Sequence, residues 1–380
     1  LDRLPNAVQF LSWWDDSRTV FNPGTHVRWW LLGAAIPYGF VMWLRARCYD
    51  RGWLACRKLP RPVISVGNLT LGGTGKTPVV ILVTEWLLAQ GRRVAILSRG
   101  YRRTSPEPLL LVSDGERLLA GPREAGDEPY LIAQRCPKAI VAVGADRYAL
   151  GRWVLDRFSV DCLVLDDGFQ HLGLFRDENL LLLDATDVQG LEAVVPAGRL
   201  REPLGAMSRA TAILITRADD SANVDRILAR LRRIGEPLSD VSQVKFTPEG
   251  LTSVTTREWR DRDWCAGKAA VLCSGIAHAG SFRSVAEAMG LRVLEEVLFP
   301  DHHDYTAIEV DGLRMRAEAM RAELVVTTEK DAGKLAALLK PTDAWWAVRL
   351  STRVIVGEEK LRQRILSCTK PVQMDACASR

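Results

Sequence analysis

The sequence predicts an α/β protein built on a mainly parallel sheet, with an apolar helix ahead of it and a second, smaller α/β unit behind it. Three observations carry that prediction. Short apolar runs alternate with helical patterns from Arg61 onward, a glycine-rich loop sits between the first such run and the first helix, and an uncharged segment bracketed by arginines precedes both. With 380 residues, 47% hydrophobic and 26% charged, the chain has material for two domains and is too apolar for disorder.

Residues 1–60 are expected to form an N-terminal membrane-associated helical segment. From Trp29 to Leu44 the run WWLLGAAIPYGFVMWL carries no charge, between Arg28 and Arg45. At ~1.5 Å per residue this helix is about 24 Å long, short of the ~30 Å hydrocarbon core, and Pro37 and Gly39 would bend it. Shallow insertion is therefore expected rather than a span. Six of the twelve tryptophans (Trp13, Trp14, Trp29, Trp30, Trp43, Trp53) lie here, and tryptophan prefers the headgroup region. Arg45, Arg47, Arg51, Arg57, Lys58 and Arg61 face only Asp50 as a counter-charge. Such a collar suits an anionic phospholipid surface at about 1 kcal/mol per cation. Asp15, Asp16 and the long polar lead argue against a cleaved signal peptide. A buried core helix with aromatic flanks is the competing reading, because length alone does not separate the two.

The core domain is expected over residues 61–235. Val63-Ile64-Ser65-Val66 reads as a strand, Gly67, Gly72, Gly73 and Gly75 mark a loop, and Lys76-Thr77-Pro78 opens a helix. A strict G-x-x-x-x-G-K-[ST] loop would need glycine at position 70, where this chain has Thr70. The strand–loop–helix order nevertheless suits a phosphate: a helix start offers unpaired N–H groups and positive dipole charge, and glycines let the backbone curl around an anion. Gly72, Gly73, Thr74 and Gly75 would cradle the phosphates of ATP, Lys76 would reach the β and γ groups, and Thr77 would ligate Mg²⁺. The alternative is a glycine-rich turn with a chance Gly-Lys-Thr. Pro78 fits near a helix start, where its missing N–H costs nothing.

Further strands are expected at 93–98, 139–143, 162–167, 179–185 and 211–218, most of them apolar almost throughout, as strands covered on both faces are. A helix near 222–234 follows, then a turn-rich linker at 236–250. The smaller α/β domain, 251–367, is expected to hold strands at 269–277, 292–300, 323–332 and 344–350, with helices near 280–290 and 306–321. Residues 368–380 read as a polar tail. The eight cysteines show no metal-ligand spacing and read as reduced thiols.

Chemistry-bearing residues gather in loops after strands. Asp166-Asp167 ends an apolar strand, where a nucleotide enzyme holds Mg²⁺ beside its phosphates; a plain Asp-Asp-Gly turn is the alternative. Asp127 and Glu128 start a probable helix, where the dipole alone favours acids. The run FPDHHDYT puts His302 and His303 between aspartates on a loop that could bind metal, shuttle a proton or decorate a turn. PAGRLREP offers Arg199 and Arg201 as a phosphate clamp and Glu202 as a Mg²⁺-side carboxylate. SRGYRR offers Arg99 and Tyr101 for an anion or a sugar, with a solvated basic turn as the alternative. A nucleic-acid binder is disfavoured, because the cations concentrate beside an apolar segment rather than along a groove with stacking aromatics.

Taken in order, VGNLTLGGTGKTP, SRGY, AGDEP, LDDGFQH, PAGRLREP, FPDHHDY and TTEKDA resemble the motifs of the tetraacyldisaccharide 4'-kinase family of lipid A biosynthesis. The resemblance covers nearly the whole chain and includes the looser GGTGKT loop. It implies a P-loop NTPase-like core and transfer of the γ-phosphate of ATP to the 4'-hydroxyl of tetraacyldisaccharide 1-phosphate, giving lipid IVA, at the cytoplasmic face of the bacterial inner membrane. It further implies Asp166 and Asp167 as a Walker-B-like pair, and Asp127 as the acid that activates the sugar hydroxyl, oriented or relayed by His302 or His303. Arg99, Tyr101, Glu128, Arg201 and Glu202 lie in motifs that line the family's site. The lipid A disaccharide precursor and the anionic membrane surface are the expected partners, with no obligate protein partner. The rival from another class is a membrane-associated P-loop ATPase switch acting on a protein partner, which the phosphate loop and Asp166 alone do not exclude.

Overall fold

The fold is that of a computed structural model, which describes residues 25–235, 240–276 and 279–369. Trp13, Trp14, Asp15, Asp16 and the tail beyond residue 369 lie outside the described residues. Among the described residues thirteen strands join one sheet. They are β1 Val63–Asn68, β2 Val94–Ser98, β3 Leu109–Asp114, β4 Ile140–Gly144, β5 Cys162–Asp166, β6 Glu178–Asp184, β7 Ala212–Thr216, β8 Val241–Ser253, β9 Trp259–Asp261, β10 Ala269–Ser274, β11 Arg292–Leu298, β12 Leu324–Thr328 and β13 Trp345–Val356. Their spatial order is β11-β10-β12-β13-β8-β7-β6-β1-β5-β2-β4-β3, with β9 paired to β8.

Two parallel blocks make up this sheet. From β4 to the start of β8 neighbouring strands run parallel. Every residue of β1, β2, β4, β5, β6 and β7 is buried, which explains their near-continuous apolar runs. One face packs on the helix Lys76–Ala89, whose Val79, Val80, Val83 and Leu87 meet Ile64, Val66, Ile96 and Val164. The opposite face packs Leu97, Leu163 and Leu165 on Leu150 and Val154. In the second block β13, β12, β10 and β11 are parallel to one another.

The blocks meet through the antiparallel pair β8 and β13. Val241–Val244 pair with β7, while Leu251 and Ser253 face Val348 and Trp346, which lie beside β12. β8 thus leaves the first block at its carboxyl edge and enters the second, and β13 returns. The carboxyl edges of the two blocks consequently face each other across a cleft.

This geometry corrects two expectations. Most of the supposed linker 236–250 is strand: Pro248 and Gly250 suggested turns, but long-range pairing with β13 keeps the segment extended and the sheet continuous. Residues up to 367 were assigned to the smaller domain, yet the end of β13 and the helix Glu358–Cys368 return to the first block, where Leu361 and Ile365 join its core. The helix also absorbs Cys368, the first residue of the expected tail.

The N-terminal helix runs from Thr25 to Asp50 with Pro37 inside it. No helix among the described residues is long and apolar enough to cross a membrane. Tyr38 Oη donates to the Arg201 carbonyl at 2.8 Å and Arg45 to that of Gln170 at 3.2 Å, so one side docks beside the cleft loops. Trp30 is 82% exposed, and Ile36, Phe40, Val41, Trp43 and Leu44 are exposed with it. The structure therefore does not bury this helix in a core.

Candidate active site

The phosphate loop occupies the carboxyl edge of the first block, between β1 and its helix. Gly72 and Gly75 have φ of 102° and 81°, the left-handed region that favours glycine. Thr70 needs no such freedom: it is buried and bridges to Leu200, which explains why the strict spacing fails there. The loop's carbonyls are held from outside. Thr216 Oγ1 donates to Thr74 O at 2.8 Å, Arg217 Nη1 to Gly73 O at 2.9 Å and Arg199 Nη2 to Leu71 O at 2.9 Å. With its carbonyls committed, the loop keeps its N–H groups for an anion.

Beside the loop, β5 delivers Asp166 and Asp167. Asp166 is buried; Ser98 Oγ donates to its Oδ2 at 2.8 Å, and Oδ1 is buried without a hydrogen-bond partner. Burial, then the fields of Glu128 and Asp167, push its carboxyl up to about 7. Asp167 sits at φ 52° with Lys76 Nζ at 3.8 Å and Arg201 Nη1 at 3.1 Å. Burial works to raise it, but Lys76 and Arg201 hold it below the usual carboxylate range. An orphaned carboxylate oxygen, with Asp167 following it in the chain, is a donor that suits a hard, oxygen-ligated cation.

The second wall comes from the facing edge. The helix Asp127–Arg135 lies against the helix Glu329–Leu335 that follows β12. Asp127 Oδ2 meets His302 Nδ1 at 3.0 Å and Lys334 Nζ at 3.1 Å. Burial works to raise the Asp127 carboxyl, but the His302 hydrogen bond and the Lys334 charge bring it below its ordinary value. Of the two histidines it is His302, at φ 62°, that reaches Asp127. His303 instead bonds Glu309 at 3.0 Å and stacks on Phe299. The Tyr101 ring meets His302 edge-on at 5.5 Å, and Arg102 donates to the Asp301 carbonyl at 2.9 Å.

The structure thus gathers Lys76, Asp166, Asp167 and Arg201 around the loop, and brings His302 from the second block onto Asp127 and Tyr101 of the first. Glu128 is half-buried and acts on Asp166 through its field. Arg99 lies exposed at the end of β2. Glu202 is 1% exposed, its Oε2 ion-paired to Arg209 at 2.8 Å and its Oε1 buried without a hydrogen-bond partner. Sequence reasoning missed Thr216, Arg217, Ser98, Lys330 and Lys334. The i,i+4 spacing of the two lysines in TTEKDAGKL was the available signal.

A glycine-rich loop beside paired acids, and a carboxylate of the same block held by a histidine of the other, are the parts of a phosphotransferase. The family model described as tetraacyldisaccharide-1-P 4'-kinase matches residues 27–370. A tetraacyldisaccharide 4'-kinase from Anaeromyxobacter sp. (strain Fw109-5) is 39% identical over 84% of this chain and 86% of its own length. Another from Geobacter sulfurreducens is 40% identical over 81% and 86%. The crystal structure of the apo form of LpxK from Aquifex aeolicus in complex with ATP aligns with TM-score 0.73 and 34% identity, covering 90% of this chain and all of that one. The chain belongs to the tetraacyldisaccharide 4'-kinase family of lipid A biosynthesis.

Proposed function

We propose that the cleft transfers the γ-phosphoryl of ATP to the 4'-hydroxyl of tetraacyldisaccharide 1-phosphate with Asp127 as general base. The observation that carries this is the Asp127–His302 pair, a carboxylate on one edge oriented by a ring from the other, in a cleft floored by the phosphate loop. A sugar hydroxyl is a weak nucleophile until its proton has somewhere to go. Its oxygen forms the new bond to the γ-phosphorus while its proton passes to Asp127. The bond from the γ-phosphorus to the β–γ bridging oxygen breaks, and its electron pair leaves with ADP. The loop N–H groups and Lys76 bind the phosphates. Arg201 is placed to neutralise charge on the transferring group, and such stabilisation is usually the larger contribution. Thr77 and Asp166, with Asp167 beside them, are the residues that would hold Mg²⁺, which when bound neutralises the β and γ oxygens. Arg99 and Tyr101, at the end of β2, are assigned to the acceptor.

The exposed face of the N-terminal helix and its basic collar support the reading that the cleft works at an anionic membrane surface, monotopically, on the cytoplasmic side where ATP is available. The acceptor's acyl chains would then stay in the bilayer. The decisive assay is transfer of label from γ-labelled ATP to the disaccharide acceptor in detergent micelles, wild type against Asp127→Asn. Labelled lipid from the wild type and a drop of about 10²–10⁴ in kcat with ATP binding retained are expected. ATP consumption without labelled lipid would instead favour a nucleotide switch.

A further inference from the structure

The helix Glu329–Leu335 carries Lys330 and Lys334 four residues apart, hence on one face. Neither is a solvated surface lysine. Lys334 is 4% exposed, with Nζ 3.1 Å from Asp127 Oδ2, 3.5 Å from Asp331 Oδ1 and over the ring of Tyr305. Lys330 Nζ lies 2.8 Å from Asp301 Oδ1 and 3.2 Å from His302 Nε2. An ammonium group has three donors and no acceptor. The His302 Nε2 that faces it must therefore present a lone pair, which leaves the ring proton on Nδ1, the atom 3.0 Å from Asp127. A doubly protonated ring would set N–H against N–H. Asp301 Oδ2, the acid on that side, is 3.7 Å from Nε2 and too far to accept from it.

We propose that Lys330 and Lys334 are positioning residues for phosphoryl transfer. Lys330 fixes His302 as the neutral Nδ1–H tautomer, and Lys334 together with that Nδ1–H holds Asp127 by Oδ2, leaving Oδ1 to take the proton of the acceptor hydroxyl. This rests on the reading of Asp127 as the base. It assigns His302 an orienting role and removes it from any proton relay, because its second nitrogen is already committed to a cation. The charged and titratable groups around the pair are Glu128 on the helix of Asp127, Tyr101 and Arg102 from the loop after β2, Asp301 and Tyr305 from the histidine loop, and Asp331 between the lysines. Asp331 is fixed by Gly275 N–H and Thr328 Oγ1, so Lys334 is anchored at a second carboxylate.

Two measurements test this on the full chain in micelles. The first is a long-range ¹H–¹⁵N spectrum of the ¹⁵N-histidine-labelled wild type at neutral pH, with His302→Gln as the assignment control. A neutral Nδ1–H pattern for His302, lost to the commoner Nε2–H form or to imidazolium in Lys330→Met, is expected. Finding Nε2–H or imidazolium in the wild type would overturn the proposal. The second is the pH profile of kcat. Lys334→Met should move its acidic limb up by about 1–3 pH units, the effect of removing a cation beside a carboxylate, with KM for ATP unchanged and with recovery in Lys334→Arg. A lower kcat with the limb unmoved would mean Lys334 only supports packing, and the proposal would fall. If Lys334→Met does not fold, the wild-type spectrum and Lys334→Arg still decide. Full activity in Asp127→Ala would remove the base reading itself, a result separable from the tautomer.

Discussion

Gly75 joins the phosphate loop to the ribbon that links the two blocks, and replacing it with alanine separates two costs. Its φ is 81°, and a Cβ built there would lie 2.3 Å from Phe246 Cζ and 2.5 Å from Cε2. Holding alanine in a left-handed conformation costs roughly 1–2 kcal/mol. Overpacking against a ring that has to swing aside costs about 1–3 kcal/mol more. At ~2.1 cal/mol/K per residue, unfolding this chain releases about 0.8 kcal/mol/K, so the sum of roughly 2–5 kcal/mol lowers Tm by about 3–6 °C. The assay is thermal unfolding of Gly75→Ala, Phe246→Leu and the double variant, with ATP affinity measured in parallel. Phe246→Leu should recover the packing part of the Gly75→Ala loss and leave the backbone part, a positive coupling of about 1 kcal/mol or more. If Gly75→Ala costs the same with and without the ring, the contact carries no constraint. If it costs nothing in either background, the left-handed loop is wrong.

Arg135 Nη1 donates to both oxygens of the half-buried Glu329 at 2.9 Å, and Arg135→Ala removes that partner and leaves only the field of Arg349 and the Leu350 backbone. A loss of about 1–3 kcal/mol in chemical denaturation is expected, much of it restored when Glu329→Gln is added. His171 is pushed down to about 4 by burial first and then by Arg147. The folded state resists protonation that the unfolded chain accepts near 6.5, so its contribution is intact above 6.5 and is lost as pH falls toward 4. His171→Gln should flatten the stability profile across that window, read by thermal unfolding at stepped pH. Replacing Trp30, Phe40 and Trp43 together with glutamate should abolish sedimentation with anionic vesicles while leaving turnover of a micellar acceptor measurable.

The first block was legible because its strands are buried on both faces and read as apolar runs between glycine and aspartate turns. Val63, Leu163 and Leu181 needed no tertiary context to be placed. β3 was missed: it is an antiparallel edge strand with Leu109 to Leu111 only partly covered. β8 was misread because its half-buried pattern carries Pro248 and Gly250, and only its pairing with β13 makes it a strand. At the site, the motifs named Asp127 and the two histidines but not the choice between them. That choice follows from the backbone of the histidine loop, where a left-handed His302 turns its ring toward Asp127 while Glu309, fixed by its capping box with Thr306, captures His303. The lysines escaped notice because their partners lie in segments distant in the chain, Asp127 being 207 residues from Lys334.

The split of the Asp127–His302 pair between the two facing edges has a consequence for fidelity. The base belongs to one block and the ring that aims it belongs to the other, while the ribbon of β8 and β13 is the sheet connection between them. Any opening about that ribbon would draw the ring and Lys334 away from the carboxylate. The aim of the carboxylate and the seating of the two blocks on each other are thus one and the same contact: a substitution that loosens the seam anywhere along the ribbon would reach Asp127 without touching it.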